Sequence, residues 1–125
     1  MKITRELRRE IRRQVIKASG VTNPIIELGD RYDATGRTST NGLRWLPDAD
    51  IYETLNLEHE TEIDEHPEIP GAATLDCYVY SRGYDGQLEC NVYVTIKDGK
   101  IADCHQADRE ADKRTLAILG VPFSA

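Results

Sequence analysis

Glu58, Glu60 and Glu62 stand at alternate positions, a spacing that carries chemistry if the segment is extended. Alternate residues of a β-strand share one face about 6.6 Å apart. The phosphates of a nucleic-acid strand advance about 3.4 Å along its axis and lie farther apart through space. Three carboxylates in such a row can imitate a short run of phosphates and occupy a basic surface on another protein. The same row also suits an edge strand kept soluble by charge. Asp64, Glu65 and Glu68 extend the acidic stretch, and no Lys or Arg occurs between Trp45 and Ser81.

His59 and His66 lie among these carboxylates and raise the question of a metal. The run "HETEIDEH" matches no zinc-ligand spacing. On a strand His59 would face the apolar side and Glu60 the other, so the pair would not converge. No metal or cofactor is expected. Cys104 followed by His105 resembles a nucleophile beside a base. Neighbouring strand residues point to opposite faces, however, and a catalytic pair must converge. No catalytic residue is assigned. The chain also lacks a P-loop, a G-x-S-x-G elbow and an H-E-x-x-H helix. The remaining enzyme reading would centre on His59, His66, Cys104 and His105.

Two further groups suit binding. Tyr78, Tyr80 and Tyr93 fall on the polar face of two alternating segments, where aromatics can stack on bases or anchor a protein. Alternatively a helix covers them and they belong to the core. Arg8, Arg9, Arg12 and Arg13 belong to a basic N-terminal segment that could meet phosphates or dock on the acidic body of its own chain. Residues 1–20 carry seven Lys/Arg and two Glu, a balance of +5 within a net charge of −6, so the remainder stands at −11. That remainder repels a polyanion and attracts the basic segment. Internal docking is therefore expected, with nucleic-acid binding as the alternative.

The elements that position these residues are legible in outline. Thr4 caps a helix running to Ser19, stopped by Gly20, with Leu7, Ile11 and Val15 as its apolar stripe. Residues 21–50 read as irregular, apart from a short strand at 24–28. Four antiparallel strands follow at 51–63, 73–81, 87–97 and 100–106, each with period-two alternation. Leu75, Cys77 and Val79 oppose Asp76, Tyr78 and Tyr80 across the second strand. Between 81 and 86 the turn register is open: one choice pairs Cys77 with Cys90, another Tyr78 with Tyr93. Asp98-Gly99 supplies the two positive φ angles of a type I′ turn. Asp108 caps a last helix that ends at Leu119, stopped by Gly120 and Pro122.

The 125 residues form one domain: Arg-rich helix 1–20, irregular 21–50, meander 51–106 and C-terminal helix 107–120. The fold class is α+β, an antiparallel meander of about four strands flanked by an N-terminal and a C-terminal helix. Three cysteines with no C-x-x-C pair point to reduced thiols and a cytoplasmic setting. The N-terminus has no apolar leader pattern and no apolar run reaches membrane-spanning length. The expected function is a non-catalytic accessory or inhibitor protein that binds a protein partner with a basic or nucleic-acid-binding surface. The sequence does not fix the oligomeric state.

Overall fold

The computed structural model describes residues 1–33, 44–45, 55–66, 69–83 and 86–120. Helix α1 spans Arg5–Ser19, and the Thr4 hydroxyl accepts from Leu7 N at 3.1 Å, satisfying one of the amides that a helix start leaves unpaired. Gly20 closes it in the left-handed conformation, φ 73°. Strand β1 is Ile25–Asp30, β2 Tyr32–Asp33, β3 Arg44–Trp45 and β4 Leu55–Asn56. Strands β5 (Ala73–Tyr80), β6 (Leu88–Lys97) and β7 (Lys100–Gln106) follow, and α2 spans Ala111–Leu119.

The protein is α+β. A five-stranded antiparallel sheet in the order β4-β1-β5-β6-β7 lies between its N- and C-terminal helices, with β2 and β3 as a separate pair. Helix α1 packs on β6 and β7. Ile11 and Val15 bury against Leu75, Cys77, Val79, Val92, Val94 and Ile96 from alternate strand positions, which is the period-two apolar face seen in the sequence. Helix α2 meets β6 from the other face, where Thr115 and Thr95 approach at 3.4 Å between their hydroxyl oxygens. A second, smaller cluster joins Leu116 and Leu119 to Ala72.

Several expectations need correction. The sheet has five strands, because the short strand read at 24–28 forms as β1, Ile25–Asp30, and inserts between β4 and β5. The strand expected at 51–63 is not formed over its described part: β4 holds two residues and a turn follows at 57–59. Residues 51–54 lie outside the described set. Pairing between β5 and β6 sets Cys77 opposite Val92 and Tyr78 opposite Asn91, midway between the two registers considered, with a bulge at Val79/Tyr80. Helix α2 begins at Ala111, with Glu110 rather than Asp108 at its N-cap position. The Asp108 carboxylate accepts from Glu110 N at 2.9 Å, so it closes a turn ahead of the helix instead of capping it. The β6–β7 turn forms as its sequence demands, with φ 55° at Asp98 and 75° at Gly99.

Candidate functional site

The acidic segment is an irregular ribbon held by the N-terminal segment and α1. Leu57 N donates to Ile26 O at 2.8 Å, and the turn closes as His59 N and Glu60 N donate to Asn56 O. Farther on, Ile3 N donates to Thr61 O and Ile63 N to Met1 O, both at 2.9 Å, with Lys2 and Glu62 bridged antiparallel. Leu57 and Ile63 are buried and fix the ribbon to the core.

Two arginines of α1 tie it further. The Arg8 guanidinium donates to Leu57 O and, at 2.6 Å, to Glu60 O. Arg12 donates to Pro24 O and Asn23 Oδ1, both at 3.1 Å, and lies 3.8 Å from the Glu58 carboxylate. These two arginines therefore dock within the chain. Arg9 and Arg13 face outward, and Arg13 forks onto Glu10. That fork, with Gln14, lowers the Glu10 carboxyl from 4.5 to about 2.

The three glutamates are not equivalent, because the segment turns. Glu58 and Glu62 are exposed, as are Asp64 and Glu65. Glu60 folds back, and its carboxylate accepts from Thr61 N at 3.0 Å and Glu62 N at 3.2 Å. His59 is exposed, not on an apolar face, while His66 is buried. Among the described residues no three His, Cys, Asp or Glu side chains gather as a metal-binding group.

The tyrosines lie on the sheet face away from α1. Tyr78 is buried and Tyr80 half-buried. Tyr93 is half-buried, with the Arg31 guanidinium 3.9 Å above its ring. Arg31 is itself buried; it donates to Thr115 Oγ1 at 2.9 Å and pairs with Asp112, joining the end of β1 to α2. Asn91 Nδ2 donates to Asp76 Oδ1 at 2.8 Å beside them. Tyr93 thus belongs to a polar layer joined to α2 through Arg31, and Tyr78 is buried in the sheet face.

Cys104 and His105 diverge as strand geometry requires. Cys104 packs on the α1 side, where burial, then the Asp103 carboxylate, push its thiol up to about 11. A thiol so placed is a poor nucleophile near neutral pH. Cys77 is shifted upward by burial as well. His105 lies on the opposite face with its Nε2 2.8 Å from Asp103, and Arg114 donates to the same carboxylate at 3.0 Å. This Asp103–His105–Arg114 group went unremarked in the sequence. The D-x-H spacing on a strand was the available signal, since residues two apart share a face.

The described exposed acids are thus held on a backbone fixed by hydrogen bonds, while the tyrosine face and the cysteines are largely committed to packing. No described helix is long and apolar enough to cross a membrane. Comparison of the chain with protein-family models, with curated proteins and with solved structures found no match in any of the three.

Proposed function

We propose that this is a non-catalytic accessory or inhibitor protein that presents the ribbon 58–65 to a basic surface on a protein partner. The observation that carries the reading is the pinning of that ribbon. Arg8, Ile3 and Ile26 hold its backbone, so Glu62 and Asp64 project from a fixed frame, with Glu58 beside Arg12 and the Glu65 carboxylate accepting from Gly71 N. Ordering before contact lowers the entropic cost of association. The exposed carboxylates outnumber the cations beside them, Lys2 opposite Glu62 and Arg12 near Glu58, and so steer a basic partner and repel nucleic acid. The three unpaired cysteines, one of them fully buried, support a reducing, cytoplasmic setting. The enzyme reading has less support, since Cys104 and His105 lie on opposite faces.

The test is capture from native lysate, identified by mass spectrometry, with wild type beside Glu58→Gln/Glu62→Gln/Asp64→Asn. A basic protein retained by wild type, released by salt and lost in the variant supports the proposal. Equal retention by both, or no specific retention, rejects it. Glu60 is left intact because its carboxylate shapes the turn.

A further inference from the structure

The two edges of the sheet differ. Strand β4 closes one edge with two described residues, whereas β7 runs seven residues along the other, and no described strand pairs with its outer side. Ala107 N donates inward to Asn91 O at 3.0 Å. Antiparallel ladders alternate, so His105 also faces inward, and the N–H and C=O groups of Cys104 and Gln106 point away from the sheet.

The outer flank of α1 and this edge enclose a groove in two stretches. One, of about 800 Å³, runs beside Arg13 and Lys17. The other, of about 520 Å³, runs beside Glu6 and Glu10, with Lys100 on its β7 side, and Gln14 lines both. The α1 wall of the groove is therefore acidic at one end and basic at the other, with Lys100 and Asp108 opposite it.

We propose that this face is the interface of a homodimer, in which β7 pairs antiparallel with β7 of a second copy across a two-fold axis. The charge layout argues for that occupant. Turning the flank end for end sets Glu6 and Glu10 of one copy toward Arg13 and Lys17 of the other, twice over. An isologous interface needs such a self-complementary patch. An unrelated peptide would need a matched run of base and acid, which a second copy carries by symmetry. The spacing also fits. A helix lying over the last two strands sits about half a strand spacing inside the edge, so the two α1 helices would lie about 9.6 Å apart, within the range of packed helices. The pairing joins two five-stranded sheets into one and satisfies the outward backbone groups of β7. It shares no residue with the ribbon 58–65, so it stands or falls separately from the proposed function.

Sedimentation velocity from micromolar to millimolar protein tests the proposal. Wild type is expected to pass from monomer to dimer over that range. Arg13→Glu/Lys17→Glu and Glu6→Lys/Glu10→Lys are each expected to weaken self-association about tenfold or more, and an equimolar mixture to recover a heterodimer. Circular dichroism checks that each variant folds, since both alter the Glu10–Arg13 pair. Hydrogen exchange on wild type needs no variant. The amides of Cys104 and Gln106 are expected to exchange about tenfold slower when concentrated than when dilute. A monomer at every concentration overturns the proposal. So does a dimer whose Cys104 and Gln106 amides stay unprotected, or one indifferent to both charge exchanges.

Discussion

Arg8 and Arg9 are adjacent and chemically identical, yet the fold uses them differently. The guanidinium of Arg8 reaches two carbonyl oxygens, on Leu57 and Glu60, whereas Arg9 is exposed. A planar fork can serve both oxygens at once, which no other side chain does as well. Arg8→Gln is expected to cost about 2 kcal/mol, because hydrogen bonds from a charged donor are lost at a partly buried site. Arg9→Gln is expected to stay within about 0.5 kcal/mol of wild type. Urea denaturation of the two variants measures the contrast, and equal losses would contradict the assigned role of Arg8. Glu10 adds a pH effect at this scale. Its folded pKa, about 2, lies below its ordinary 4.5, so its support of α1 is complete above pH 4.5 and fades as pH falls through 2. The melting difference between wild type and Glu10→Gln is expected to shrink over that window. A difference that stays constant from pH 6 to about pH 2 would show that the ion pair contributes nothing.

At the scale of elements, local rules were enough where an element satisfies itself. The α1 caps, the apolar face of β5 to β7 and the Asp98-Gly99 turn were legible because each depends on residues close in sequence. The strand at 51–63 failed for the opposite reason. Its alternation is real, but Arg8, forty-nine residues from Leu57, captures the carbonyls that a strand ladder would use. Arg31 was invisible for the same reason, since its partners Asp112 and Thr115 lie on the last helix. The β6–β7 turn shows how local chemistry joins long-range packing. Gly99 N donates to Gly71 O at 3.1 Å, and a Cβ on Gly71 would meet the Asp98 Cα at 3.1 Å. Gly99 has open space but the same positive φ, 75°. Gly99→Ala is therefore expected to cost about 1–2 kcal/mol from backbone strain alone. Gly71→Ala adds a backbone contact that cannot rotate away, and its midpoint in urea is expected to fall further. A larger loss at Gly99 would mean that the approach of the two turns is not tight.

For the molecule as a whole, the charge split works largely inward. The basic N-terminal segment, at +5, lies against a body of −11, and Arg8 and Arg12 are spent on the acidic ribbon and its neighbours. What α1 still offers a polyanion is Arg5, Arg9, Arg13 and Lys17, and Arg13 is already bound to Glu10. Each phosphate contact on duplex DNA contributes a salt slope of about 0.9, so even full engagement of the four would give a slope no steeper than about 3.6. The surrounding negative field works against that engagement at every salt concentration where it is not screened. The wild-type protein is therefore expected to pass through a duplex-DNA column at physiological ionic strength. Arg5→Gln/Arg9→Gln is expected to behave identically, because those cations face solvent without recruiting phosphate. Retention of the wild type with a slope of three or more, lost in the double variant, would instead make the outer face of α1 a nucleic-acid surface. It would also reverse the sense of the charge layout, with the acidic body then serving to keep the helix selective rather than to present the ribbon.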